Sequence, residues 1–311
     1  MSDKKKILLV GDSNMDLTLN IARLPDKGEF LKDDGGVSYA PGGSSAGAAI
    51  AFAKFGQDSM FVTRLGADLY GQKLYSYYKE NGINTGYIKV DRDFATGFSV
   101  RIREADGTSR VINFPGANEH LTQDVVSEAF QTRPDAFYTG FEAPFLSVVK
   151  YAKIAASRGI PIFVNASPAD SNYSLDAMPP LEIFMLGEAE TLRYTGINPV
   201  GSQESLRALF SLWRKVKAKY IVINQGIRGA MIYDGKRCEI INPFIYEKAQ
   251  DDSAVRESFA AALTAEYISC GDIKLAVKFA VAAAAVTASR FGGSTSIPTD
   301  SELRALINKN Q

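Results

Sequence analysis

Short apolar runs rich in β-branched residues alternate along the chain with longer stretches whose apolar positions recur at helical spacing. The runs at 7–10, 60–63, 136–139, 162–165, 183–186, 220–224 and 230–233 read as strands. Helical patterns fall between them, at 45–55, 70–81, 122–130, 145–157, 205–216, 257–269 and 273–290. Strand and helix in regular alternation predict parallel strands joined by crossover helices. The expected fold is one α/β domain over 1–311, a three-layer α/β/α doubly wound, mostly parallel sheet. Two segments break the rhythm, 18–40 and 86–113. The second alternates strictly through Phe98-Ser99-Val100-Arg101-Ile102-Arg103 and carries Asp106-Gly107, a dipeptide that tolerates the positive φ of a hairpin turn. Together they predict a small antiparallel sheet protruding from the main domain. A short surface helix is expected at 301–310.

Composition narrows the function. With 311 residues, 46% of them hydrophobic, the chain can bury a large core. Lys+Arg and Asp+Glu number 35 each, so no net positive field exists to attract nucleic acid or an anionic membrane. Cys238 and Cys270 lie far apart and His120 is the single histidine, which excludes a His- or Cys-rich metal site and leaves the thiols as reduced, packed side chains. The polar start runs into a four-residue apolar stretch, too short for a leader or a membrane span. The apolar stretch 275–289 is interrupted by Lys278 and reads as a core helix. A soluble cytoplasmic protein is expected.

The candidate chemistry sits just after predicted strands, where open α/β sheets bind ligands. Gly11-Asp12-Ser13-Asn14-Met15-Asp16 follows the first strand. Asp16 can accept from two vicinal hydroxyls and Asn14 offers an amide beside it, although Asx residues there also form turns. In Pro41-Gly42-Gly43-Ser44-Ser45-Ala46-Gly47-Ala48-Ala49, paired glycines let backbone approach a ligand, or simply lead into a helix. Gly66-Ala67-Asp68-Leu69-Tyr70-Gly71, Pro115-Gly116-Ala117-Asn118, Phe141-Glu142-Ala143-Pro144, Asn165-Ala166-Ser167-Pro168-Ala169 and Ser296-Ile297-Pro298 follow. In this order these six segments resemble the P-G-G-x-x-x-N-x-A, G-x-D-x-x-G, P-G-A-N, L-E-x-P, N-P-A-P-A and S-x-P motifs of the PfkB (ribokinase-like) carbohydrate kinases. Asp251-Asp252-Ser253-Ala254-Val255-Arg256-Glu257-Ser258-Phe259 resembles that family's D-T-x-G-A-G-D-x-F loop.

The resemblance implies an α/β sandwich with a β lid, formed here by the two protruding segments. It also implies ATP and Mg²⁺ as requirements, with K⁺ as a further candidate, and a sugar or nucleoside as acceptor. Asn14, Asp16, Gly42, Gly43, Gly47 and Glu142 would face the sugar, and Glu257 would stand where the family's catalytic Asp does. Glu190, Asn224, Gly226, Gly229, Ala254 and Val255 would form the nucleotide side. Glu190 would act on Mg²⁺ through water and Asp251 would hold a monovalent cation. Gly229 also reads as the turn of a hairpin from Asn224 to Tyr233. The unpaired apolar face of the lid implies a homodimer.

The loop departs from the family pattern. Val255 and Arg256 replace a small residue and a glycine, and their side chains are expected to restrict the turn and fill space that phosphate oxygens need. Glu257 is one methylene longer than Asp, and displacing a reacting group by about 1 Å can cost on the order of a hundredfold. Arg256 reads in two ways, as a clamp on phosphate or as a plug paired with Asp16 or another acid of the site. Gly47, Gly187 and Val281 stand where the family has asparagines. The expectation is a sugar kinase with impaired or altered catalysis, and the alternative is a noncatalytic sugar- or nucleoside-binding protein on the same scaffold.

Overall fold

Along Lys6–Val10 (β1) successive side chains enter different cores: Ile7 and Leu9 join one apolar cluster, Leu8 and Val10 another. A strand buried on both faces belongs between two helical layers, which is why this run reads as continuously apolar. The computed structural model describes residues 4–106 and 108–309. After β1 come Asn14–Ile21 (β2), Val37–Gly42 (β3), Ser44–Lys54 (α1), Asp58–Gly66 (β4), Leu69–Glu80 (α2), Ile88–Asp91 (β5), Gly97–Glu104 (β6) and Ser109–Phe114 (β7). The middle of the chain forms Gln123–Phe130 (α3), Ala136–Thr139 (β8), Phe145–Ser157 (α4), Ile162–Asn165 (β9), Leu181–Leu186 (β10), Glu188–Thr195 (α5) and Ser202–Trp213 (α6). Ala218–Asn224 (β11), Ala230–Tyr233 (β12), Cys238–Ile241 (β13), Val255–Cys270 (α7), Ile273–Ala288 (α8) and Asp300–Lys309 (α9) complete it.

Among the described residues there is a nine-stranded sheet, ordered β13-β12-β11-β10-β9-β8-β1-β4-β5, and a four-stranded sheet, ordered β3-β2-β6-β7. The large sheet is parallel except at the β11-β12-β13 edge. One core cluster is filled from α1, α2, α7 and α8, the other from α3, α4 and α6, giving three layers. Strand order reverses at β1, with β4 on one side and β8 on the other. The carboxyl end of β1 is therefore a topological switch point, where the chain diverges and leaves a crevice.

The small sheet differs from expectation in three ways. It starts at Asn14, so Asn14 and Asp16 lie on a strand rather than in a loop. Its central pair, β2 and β6, is parallel, because both strands leave the large sheet in the same direction. Finally, β5 pairs with β4 at the edge of the large sheet, so residues 88–91 do not belong with the small one. Of the expected hairpin turn, Asp106 accepts from Thr108 N at 2.8 Å, while Gly107 lies outside the described residues, as does Asn310 of the expected last helix.

Two sixteen-residue helices, α7 and α8, hold the site from behind. Gly271 ends α7 with φ 71°, and the Asp272 carboxylate caps α8 by accepting from Lys274 N (2.8 Å) and Leu275 N (3.2 Å). Thr287 Oγ1, late in α8, donates to Ser258 Oγ, early in α7, at 2.8 Å, so the helices run antiparallel. One turn on, Ala262 and Ala283 are fully buried. Small residues there let the helices approach closely. Ala262→Leu should therefore destabilise the fold by about 1–3 kcal/mol through overpacking, read as a lower chemical denaturation midpoint. An unchanged midpoint would mean that this face is not close-packed.

Candidate active site

Three residues, Gly11 to Ser13, join β1 to β2. A Cβ on Gly11 would overlap the Ser45 side chain, so this glycine lets the start of α1 pack on the strand exit. The Asp12 carboxylate then accepts from Ser45 N at 3.0 Å and from Asn14 Nδ2 at 2.9 Å. Asn14 Oδ1 accepts from Asn118 Nδ2 at 2.8 Å, and Asn118 also accepts from Ser13 N at 2.9 Å. This buried network fixes where α1 begins and where the small sheet departs.

On the wall made by the small sheet, Asp16 Oδ1 accepts from Ser99 Oγ at 2.6 Å on the neighbouring β6. A Cβ on Gly42 would overlap the Asp16 carboxylate, so Gly42 is the space in which Asp16 sits. Gly43 has φ 95° and turns the chain from β3 into α1. From the end of β8, Glu142 folds back over Gly140, and its Oε2 is buried with no hydrogen-bond partner. Ser44 Oγ donates to Glu257 Oε1 at 2.5 Å and lies beside Glu142 as well. Glu257 is itself buried, in the first turn of α7.

Asp12, Asp16, Glu142 and Glu257 thus converge. Burial lifts the Asp12 carboxyl to about 6, with the Asp16 and Glu257 charges adding to it against the bond from Ser45 N. Burial likewise raises Asp16, and burial together with the Asp12 charge holds Glu142 well above the usual carboxylate range.

Arg256, adjacent in sequence to Glu257, faces the other way. Its Nη1 donates to Ser167 Oγ and to Glu190 Oε1, each at 3.2 Å. The acid that pairs with the guanidinium is Glu190, not Asp16. Glu190 is buried near the start of α5, where its Oε2 accepts from Gly187 N at 3.1 Å; a Cβ on Gly187 would lie 2.7 Å from that oxygen. The loop also differs from expectation. The positive φ falls on Ala254 (60°), and Val255 is already the first helical residue, so the bulky residue does not occupy the strained position. Next along the sheet, Asn224 Oδ1 accepts from Gly226 N at 3.0 Å, and Gly229 takes φ 88° with no room for a Cβ against Ile241 O. The hairpin accounts for Gly229 by itself. Arg228 pairs with Glu188, joining this turn to α5.

Asp251 stands at the mouth. It accepts from Ser253 N (3.0 Å) and Gly292 N (3.4 Å), and Arg103 Nη2 lies 3.6 Å away. Asp251 and Arg103, with Arg101, Asp252 and Val255, line a cleft of about 910 Å³ between the small sheet and the start of α7. Sequence reasoning passed over Asp12, Ser44, Ser99, Asn118 and Ser167. All five lay inside segments quoted above, and their roles emerge only when distant segments meet.

The arrangement places buried acceptors suited to hydroxyl groups on one side of the α7 N-terminus and a guanidinium on the other. Residues 4–300 match the pattern of the pfkB family carbohydrate kinases. The chain belongs to that family. The chain is 27% identical over 310 residues to the bifunctional ribokinase/ribose-5-phosphate isomerase A of Fructilactobacillus sanfranciscensis, covering 99% of this chain and 57% of that longer protein. It is 26% identical over 303 residues to the ribokinase of Haemophilus influenzae, covering 96% of this chain and 97% of the relative. As a pfkB-family fold it superposes on Arabidopsis thaliana ribokinase complexed with ribose and ATP with a TM-score of 0.87 at 21% identity, covering 98% and 99% of the two chains.

The raised Asp12 value makes a prediction. A carboxyl that binds its proton more tightly when folded contributes stability that is complete below its ordinary value near 4 and is lost as pH rises through about 6. Asp12→Asn removes that dependence. Relative to the parent, the variant should gain on the order of 2–3 kcal/mol in unfolding free energy between pH 4 and pH 7.5, measured by urea denaturation. A difference independent of pH would place the titration elsewhere.

Proposed function

We propose that the protein transfers the γ-phosphoryl group of ATP to a hydroxymethyl group of a pentose or hexose-like sugar. The observation that carries this reading is the sorting of charge about one helix turn, with Glu257 turned toward the acidic pocket and Arg256 toward Glu190. At the site, the Asp16 carboxylate accepts from sugar hydroxyls, Glu142 stands beside Ser44 as a further acid, and Gly42 and Gly43 bring backbone close. Glu257 takes the proton from the attacking hydroxyl. The sugar oxygen forms a bond to phosphorus as the bond to the bridging oxygen of ADP breaks. The opening N–H groups of α7 and the guanidinium of Arg256 face the charge that develops on the phosphoryl oxygens. The ribokinases among the relatives support this substrate class.

Glu190 would reach Mg²⁺ only through water, because Arg256 Nη1 and Gly187 N already sit on its two oxygens and the guanidinium disfavours a second cation in direct contact. When bound, Mg²⁺ neutralises charge on the β- and γ-phosphates. The Asp251 carboxylate is already paired, accepting from Ser253 N and Gly292 N and facing Arg103, and no step is assigned to K⁺.

With ATP, Mg²⁺ and a panel of pentoses and hexoses, the purified protein should release ADP, and Glu257→Gln should lower kcat by about 10²–10⁴-fold. Absence of turnover across the panel, with sugars still raising Tm, would replace this reading with a binding protein. We further propose a homodimer through the small sheet, whose edge strands expose Val37, Tyr39, Val111, Ile112 and Phe114. Light scattering should give twice the chain mass, and Ile112→Lys should shift it toward the monomer.

A further inference from the structure

Gly47 lies inside α1, where a glycine is less favourable than alanine by about 1 kcal/mol. It does not supply a turn, a cap or a positive φ. What it supplies is space for one side chain. A Cβ at this position would meet Glu257 Cγ at 3.1 Å and Cβ at 3.4 Å, with no other residue beyond its chain neighbours and its own helix backbone within 4 Å. Glu257 crosses α1 at that point to reach Ser44 Oγ, 2.5 Å from its Oε1 and one helical turn before Gly47.

We propose that Ser44 and Gly47 form a seat that positions the Glu257 carboxylate, Ser44 by donating a hydrogen bond and Gly47 by leaving room for the side chain to lie across α1. Both are positioning residues, and the proposal rests on Glu257 acting as the base. The hydroxyl has one proton to donate, and both Glu257 Oε1 and the Glu142 carboxyl lie beside it; donated to Oε1, it leaves Oε2 to receive the proton of the acceptor. The seat also explains how a longer acid serves at this position. The side chain is anchored along the neighbouring helix, which fixes the reach that the extra methylene would otherwise leave free.

Two measurements separate this from ordinary helix packing. In a stability cycle that needs no substrate, Gly47→Ala should lower Tm by about 2–4 °C with Glu257 present and leave it unchanged or raised in a Glu257→Ala background. Equal shifts in both backgrounds would show that Gly47 serves the α1–α7 backbone approach instead, and would overturn the seat. In turnover, Ser44→Ala should reduce kcat about 10–100-fold with KM within about threefold, and Ser44→Thr, which keeps the hydroxyl, should recover most of that loss. Unchanged kcat in Ser44→Ala, or a threonine variant as slow as the alanine, would refute the positioning role. If the parent protein turns over no sugar, the reading of Glu257 as base fails, while the stability cycle still decides whether the seat exists.

Discussion

The site depends on one buried carboxylate at the exit of β1. Because strand order reverses there, the chain on either side moves apart, and something must hold the first turn of α1 and the root of the small sheet together. Asp12 does so with its two oxygens, one accepting from Ser45 N and the other from Asn14 Nδ2. Burying a carboxylate is costly, and the Asp16 and Glu257 charges add to that cost. Donors fixed by backbone and by the Asn14–Asn118 pair offset it, so the hinge is rigid where the four acids converge.

Charge is segregated about this hinge. The acids of the pocket find hydroxyl and amide donors: Ser99 for Asp16, Ser44 for Glu257, Ser45 N for Asp12. Two guanidiniums pair outside this group of acids, Arg256 with Glu190 and Arg103 with Asp251, while the Arg101 charge acts on Asp16 from the neighbouring β6. A guanidinium among the acids would neutralise the acceptors that hydroxyl groups need. Helix geometry prevents this at residues 256 and 257, since consecutive side chains on an α-helix point about 100° apart.

Much of the large sheet was legible because its strands are apolar on both faces and short enough to be told from helices, as 7–10 and 162–165 illustrate. Strand β13 and helix α5 escaped. Residues 238–241 lie on an antiparallel edge with only Ile241 buried, and the polar α5 presents few apolar positions to reveal a period. The motifs located Asp16, Glu142, Glu190 and Glu257, whereas the partners that orient them come from remote segments: Ser99 lies 83 residues from Asp16 and Ser44 lies 213 from Glu257. Local spacing cannot carry such pairings. The same limit applied to Gly47, which read as a missing amide until the path of Glu257 across α1 gave the vacancy an occupant.

The loop before α7 shows why side-chain identity alone misjudged the backbone. Val255 and Arg256 looked incompatible with a tight turn, yet the turn is made one residue earlier, by Ala254 at φ 60°. A non-glycine residue there costs about 1–2 kcal/mol, and in return α7 begins at once, so that residues 255–257 form its first turn with N–H groups facing the site. Had the strain fallen on β-branched Val255 the cost would have been greater, and the helix would have started too late to present Glu257 to Ser44. The first turn of α7 thus carries its opening N–H groups and Glu257 together, with a guanidinium standing next to the backbone donors.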